Sequence, residues 1–174
     1  MVRYDTPLDR AHAAELKTVI SRLEKDDPTL VTLTFEGQRL GDEGARALAQ
    51  ALKVNRTLTA LNLAGNRIED SGARALADAL KSNKTLVSLD LSTNGIGEAG
   101  ACALAEALKD NRTLSRLFLA ENPIELDGRG MAALDDCQTA REAKSGIGDG
   151  RRPGSQLDIS VSFLHKRPMR TPGL

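Results

Sequence analysis

The amino-acid sequence predicts an α/β fold, a solenoid in which one strand–helix unit is repeated along the chain. Three observations lead to this fold class. Residues 56–83 and 84–111 align over 28 positions with 15 identities. Within each copy, apolar residues two apart, such as Leu61 and Leu63, are followed by apolar residues three and four apart. An asparagine recurs between these two patterns. A strand period followed by a helix period predicts a unit that buries its apolar face only by stacking on its neighbours.

The repeat covers residues 27–139 in four copies, at 27–55, 56–83, 84–111 and 112–139, and the last copy degrades in its second half. The apolar columns are Leu30, Leu58, Leu86 and Leu114; Leu33, Leu61, Leu89 and Leu117; Phe35, Leu63, Leu91 and Leu119; Leu40, Ile68, Ile96 and Ile124; and, in the helices, Leu48, Leu76 and Leu104 with Leu52, Leu80 and Leu108. These columns are the predicted core.

Polar residues also fall into columns. Asp42 and Asp70 lie where each helix needs an N-cap, and Glu98, a less favoured cap, shares their column. The helices are predicted to end at residues in the left-handed conformation, namely Asn55, Asn83 and Asn111. At the turn that leaves each strand, a short amide can bond the backbone of adjacent coils, and this column is Asn66, Asn94 and Asn122, with Gln38 in the atypical first copy.

The pattern LxxLxLxxN followed by a helix resembles the leucine-rich repeat of the ribonuclease-inhibitor type, over residues 27–139. LKVNRTLTALNLAGNRI (52–68) is similar to repeats of tropomodulins and NOD-like receptors. The resemblance implies a right-handed horseshoe segment with a parallel sheet on its concave face and helices on its convex face. It also implies protein–protein binding, which in tropomodulins is capping of actin filament pointed ends. No partner-contacting residue can be transferred by motif.

Both ends of a solenoid need caps. Residues 1–26 predict an N-terminal capping helix with Thr6 as N-cap and Pro7 in the first turn. Its apolar stripe, Leu16, Val19, Ile20 and Leu23, is expected to face the core, and the alternative is that the stripe binds a partner. Residues 140–164 predict a Gly-rich loop and then a C-terminal capping strand, because apolar and polar residues alternate over 157–163. We expect that strand to lie parallel to residues 117–119. The basic segment 165–174 predicts a disordered tail.

Composition excludes several functional classes. Formal net charge is zero, with residues 1–139 at −4 and residues 140–174 at +4. The basic region holds only 7 Lys and Arg among 35 residues and no amphipathic helix, so contact of the tail with nucleic acid or anionic membrane is disfavoured. Aromatic side chains make up 2% of the sequence, too few for a base-stacking platform or an aromatic ligand pocket. Two cysteines cannot form a secreted disulfide framework, and no apolar run suits a signal peptide or a membrane span. A cytoplasmic protein is expected.

No set of residues predicts catalysis, a cofactor or a metal site. His12 and His165 lie at opposite ends of the chain, outside the repeats. Cys102 shares a column with Arg46 and Arg74 and is expected to be a surface thiol, whereas Cys137 is expected to pack inside. The Gly-rich segment 146–154 lacks the sequence and the context of a phosphate-binding loop.

The residues that alternate with the strand leucines should face the concave surface. There we predict a partner-binding set of Glu36, Asn62, Asp90, Arg116 and Phe118. Phe118 is the aromatic in a column of polar residues, which is typical of an interface anchor. In the alternative, the C-terminal segment folds over Phe118 and hides it.

The predicted function is a non-catalytic adaptor or scaffold, monomeric and without a small-molecule substrate. It binds a protein through the concave sheet and the strand-exit loops at 64–70, 92–98 and 120–128. The narrower version is a tropomodulin-like protein of the actin cytoskeleton. The alternative is an inhibitor or regulatory subunit of an enzyme, which the ribonuclease-inhibitor resemblance permits.

Overall fold

The computed structural model of the chain describes residues 10–125, 128–144 and 158–160. Strands and helices alternate through this part of the chain. The helices are α1 (Arg10–Glu24), α2 (Gly41–Val54), α3 (Asp70–Ser82), α4 (Glu98–Asp110) and α5 (Arg129–Lys144). The strands are β1 (Thr32–Thr34), β2 (Ala60–Asn62), β3 (Ser88–Asp90), β4 (Arg116–Phe118) and β5 (Asp158–Ser160).

The strands form one parallel sheet in the order β1-β2-β3-β4-β5. From β1 to β4 the register follows the sequence repeat, so that Leu33, Leu61, Leu89 and Leu117 lie side by side. The predicted α/β leucine-rich-repeat fold is confirmed. β5 pairs in parallel with β4, as expected, with Leu117 opposite Ile159. The remainder of the alternating segment, the tail and the predicted helix start at Thr6 and Pro7 lie outside the described residues.

A single apolar core runs between the sheet and the helices. The strand leucines of β2 to β4 and the helix leucines of α2 to α4 are almost completely buried. α1 packs against α2, and its stripe contributes buried Leu16 and Leu23 with half-buried Val19 and Ile20. At the other end α5 continues past residue 139 to Lys144 and buries Leu134 and Cys137. The core is therefore closed by a helix at both ends.

The predicted asparagine ladder at the strand exits is present, and the three side chains are buried. The Asn94 carbonyl oxygen accepts from the backbone N–H groups of Asn66 and Ile68, both at 2.9 Å. Its amide donates to the carbonyls of Leu63, Leu91 and Ser92 at 2.9–3.0 Å. In the first coil, Oε1 of Gln38 is buried without a hydrogen-bond partner among the described residues. The ladder thus satisfies polar groups that a tight buried turn would leave unpaired.

A second asparagine ladder follows the helices, and there the predicted left-handed conformation is wrong. Asn55, Asn83 and Asn111 have φ between −67° and −78° in extended backbone. Each is fully buried. The amide of Asn83 donates to the carbonyls of Leu52 and Asn55 in the previous coil, at 2.8 and 3.2 Å. These asparagines therefore link the C-terminal ends of neighbouring helices. Their side-chain oxygens accept from the N–H groups two and three residues later, which turns the chain without a left-handed residue.

The acidic column does cap helices, but not the helices predicted. The structure places Leu40, Glu69 and Gly97 at the N-cap positions, without side-chain capping bonds. Instead, Oδ1 of Asp70, in the first turn of α3, accepts from the N–H groups of Gly97 and Gly100 at 2.8 Å each. Asp42 bonds the start of α3 in the same way, and Glu98 bonds residues 125 and 130 before and within α5. Each acid satisfies the free N–H groups of the next coil's helix, which a rule for single helices does not anticipate.

One turn position adopts positive φ in all four coils. The residues are Gly37 (69°), Gly65 (68°), Thr93 (54°) and Glu121 (57°). This conformation suits glycine and is strained for a β-branched residue. Thr93 compensates in part, since its hydroxyl donates to the exposed Glu121 carboxylate at 3.0 Å.

We therefore expect Thr93→Gly to raise the free energy of unfolding by about 1 kcal/mol, because relief of the left-handed strain outweighs one exposed hydrogen bond. Urea denaturation followed by circular dichroism measures the difference. The reciprocal variant Gly65→Thr is the control and should be destabilised by a similar amount. A less stable Thr93→Gly would show that the hydroxyl–carboxylate bond is the larger effect.

Candidate functional site

The side chains of the sheet that point away from the helices form the concave face. Strand register arranges them in two rows. The first row is Thr32, Ala60, Ser88, Arg116 and Asp158, and the second is Thr34, Asn62, Asp90, Phe118 and Ser160. Most of these side chains are small and polar. Arg116 and Phe118 on β4 are therefore the bulkiest groups on this face.

Asn62 and Asp90 are held by the same local bond. The side-chain oxygen of Asn62 accepts from the N–H of Ala64, and that of Asp90 from the N–H of Ser92, both at 2.9 Å. The Asn62 amide also reaches Oε2 of Glu36 at 3.4 Å. The carboxylate of Asp90 retains further acceptor positions for a partner.

Phe118 is half-buried and lies between Asp90 and Ser160 in register. Arg116 is exposed and lies between Ser88 and Asp158. Of the five predicted contact residues, the structure thus brings Asp90, Arg116 and Phe118 together on adjacent strands. Glu36 and Asn62 meet one another at the other end of the sheet. The alternative prediction is that the C-terminal segment hides Phe118. The described part of that segment is β5, which lies beside Phe118 and leaves its side chain partly accessible.

The strand-exit loops border the concave face with charged side chains of both signs. Exposed carboxylates at this edge are Glu36, Glu69, Glu121 and Glu125, and Arg39 and Arg67 are exposed in the same loops. Residues 126 and 127 of the last loop lie outside the described part of the chain. The opposite edge, where each helix leads into the next strand, carries the exposed cations Arg56, Lys84 and Arg112. The sequence prediction did not include these cations, although their 28-residue spacing could have identified them.

Those of the remaining candidates for chemistry that the structure describes lie on three different helices. Cys102 on α4 is half-buried, not exposed as its column suggested, and Cys137 on α5 is buried as expected. His12 lies on α1, and His165 falls outside the described residues. Among residues 10–125, 128–144 and 158–160, no group of three His, Cys, Asp or Glu side chains is placed to hold a metal ion. None of the described helices is long and apolar enough to cross a membrane.

Comparisons with known proteins agree with this architecture. The family described as the TMOD/LMOD leucine-rich domain matches residues 12–127, two thirds of the chain. Similar solved structures include leiomodin-1 actin-binding site 2 (ABS2), with a TM-score of 0.71 and 23% identity over 86% of this chain and 80% of that one. Another is the Caenorhabditis elegans tropomodulin C-terminal domain, with a TM-score of 0.68 and 20% identity over 87% of this chain and 85% of that one. No curated protein matches the sequence. The resemblance to tropomodulin repeats is confirmed, and at these identities the solved structures establish the fold.

Proposed function

Because the chain belongs to the TMOD/LMOD leucine-rich domain family, we propose that it is a non-catalytic protein-binding module and that its partner is actin. The similar leiomodin-1 structure is an actin-binding site, which supports actin as the partner. In this role the repeats act as a rigid support, because the buried asparagine ladders and the inter-coil caps fix each coil against the next. The chain acts as a monomer, in the cytoplasm.

The contact surface in this proposal is the β4 end of the concave face. One observation carries it, namely that half-buried Phe118 lies beside exposed Arg116 on a face otherwise made of small polar groups. Aromatic and arginine side chains are the residues that most often dominate interface energies. Asp90 adds a carboxylate next to the ring, and Glu36 and Asn62 extend the surface towards β1.

We expect Phe118→Ala to weaken actin binding by about tenfold or more, because it removes the largest apolar group from the surface. Co-sedimentation with actin filaments at increasing filament concentration measures the affinity. Thr34→Ala is the matched control, since Thr34 occupies the same row at the other end of the sheet. Equal binding by both variants, with the fold intact by circular dichroism, would place the contact elsewhere on the chain.

A further inference from the structure

Three cations form a column along the edge where each helix leads into the next strand. Arg56, Lys84 and Arg112 occupy equivalent positions in three successive coils, and all three are exposed. We call them the junction column. None of the three forms an ion pair with a described acidic residue. Their charge is therefore available to a partner.

A neighbouring column of lysines differs from the junction column, because two of its members form ion pairs within the chain. Lys53, Lys81 and Lys109 also recur every 28 residues, in the last turn of each helix. Lys81 pairs with Asp78 at 2.8 Å and Lys109 with Glu106 at 2.6 Å. These bonds raise the pKa of Lys81 and of Lys109 and lower the pKa of their carboxylate partners. Lys81 and Lys109 are therefore paired within the chain, whereas no cation of the junction column pairs with a described carboxylate.

The fold also positions the junction cations. One guanidinium nitrogen of Arg56 donates to the carbonyls of Lys53 and Asn55, at 3.1 and 2.9 Å. The Lys84 ammonium donates to the carbonyl of Lys81 at 3.1 Å. Bonds to the last carbonyls of a helix restrict these long side chains, so that binding a partner costs less side-chain entropy. Each head group keeps further N–H donors for that partner.

We propose that the junction column docks an acidic segment of a protein partner, which rests on the proposed function as a protein-binding module. Successive coils are about 5 Å apart at the sheet and about 10 Å apart at the helices, so that the cations recur between these limits. Carboxylates four residues apart on a helix, or two apart on a strand, recur at about 6–7 Å. One acidic segment can therefore meet all three coils.

The surroundings favour a short acidic segment over a nucleic acid. Two exposed carboxylates lie beside the junction column: Asp26, which accepts from the backbone N–H of Arg56, and Asp110, two residues before Arg112. A long polyphosphate carries charge along its whole length and would be repelled by these groups, whereas a short peptide can place its carboxylates only opposite the cations. Asp27 stays ionised, since hydrogen bonds from Thr29 and then from Arg22 lower its pKa to about 2, but its charge is offset by the Arg22 guanidinium paired with it at 2.7 Å.

The test is titration of a short fluorescent poly-glutamate peptide with the intact chain. A triple variant, Arg56→Gln, Lys84→Gln and Arg112→Gln, should bind about tenfold or more weakly than the unsubstituted chain. The matched control, Lys53→Gln, Lys81→Gln and Lys109→Gln, changes net charge equally and should stay within about threefold. Binding by the unsubstituted chain should weaken as salt rises, which tests the proposal without any variant.

Equal losses in the two triple variants would overturn the proposal, because only overall charge would then matter. Tighter binding of poly-uridylate RNA than of poly-glutamate would overturn it as well. Actin co-sedimentation separates this inference from the proposed function. If the chain binds poly-glutamate through the junction column but does not bind actin, the inference holds and the proposed function fails. If it binds actin but not poly-glutamate, the proposed function holds and the inference about the junction column fails.

Discussion

Asn94→Ala is expected to lower the free energy of unfolding by about 4 kcal/mol, one of the largest effects available to a single substitution in this chain. The side chain makes five hydrogen bonds across the strand-exit turns of two coils. Alanine removes all five and leaves the N–H groups of Asn66 and Ile68 without their acceptor. Unpaired buried donors cost about 1–3 kcal/mol each.

Chemical denaturation monitored by circular dichroism measures this loss, with the midpoint shifting and the slope retained if unfolding stays two-state. Asn62→Ala is the matched control, because that asparagine bonds locally on the half-exposed concave face. It should cost less than about 1 kcal/mol. Similar losses for the two variants would mean that water replaces the ladder bonds once Asn94 is gone.

The second large effect is expected at Gly100, in the first turn of α4. A Cβ at this position would lie 2.7 Å from Cγ2 of Ile96, 2.8 Å from Oδ1 of Asp70 and 3.0 Å from Cβ of Ala73. These distances are too short, so Gly100→Ala must push α4 away from α3 and stretch the Asp70 cap. We expect a net loss of about 2 kcal/mol, even though alanine favours the helix by about 1 kcal/mol.

Gly97→Ala provides a control on the same carboxylate. A Cβ there would lie 3.4 Å from Oδ1 of Asp70, an ordinary contact, and the backbone of Gly97 is extended. Thermal unfolding should leave Gly97→Ala within about 0.5 kcal/mol of the unsubstituted chain. If Gly100→Ala is equally stable, the coils can separate slightly without cost, and the close approach of α3 and α4 is not a constraint on sequence.

The fold could be predicted from the sequence because the apolar columns repeat in register. Leu61 and Leu89 are equivalent in sequence and side by side in the sheet, so that the strand period alone specifies which face is buried. The same regularity predicted the Asn94 ladder. β5 was predictable for a different reason, since the alternation around Ile159 matches a half-buried strand.

The errors have a common physical cause. Asp70 was predicted to cap its own helix, and Asn83 was predicted to end its helix in the left-handed conformation, from rules derived for isolated helices. In the folded chain both side chains bond an adjacent coil instead. Which coil receives such a bond depends on how far neighbouring helices are offset along their axes. That offset is a property of packing and has no local sequence signal.

The candidate site was only partly predictable. The alternation of apolar and outward-facing residues along the strands identified the concave face and placed Arg116 and Phe118 on it. The accessibility of Phe118, however, depends on how β5 pairs with β4. The junction column was overlooked because formal charge was counted over whole segments. The sequence alone does not show that Lys81 forms an ion pair with a described carboxylate and that Lys84 does not, because this depends on the folded geometry.

The stacking geometry also bears on how fast the chain can fold. Side-chain hydrogen bonds between coils join residues 25 to 32 positions apart, from Arg46–Ser71 to Glu98–Gly130. Each added coil therefore closes a loop of nearly constant length, at a nearly constant entropic cost. Nucleation needs any two adjacent coils, and growth then proceeds towards either end. β5 is the exception, since Asp158 pairs with Arg116 across a longer connection. We therefore expect that strand to add last, after the preceding coils are complete.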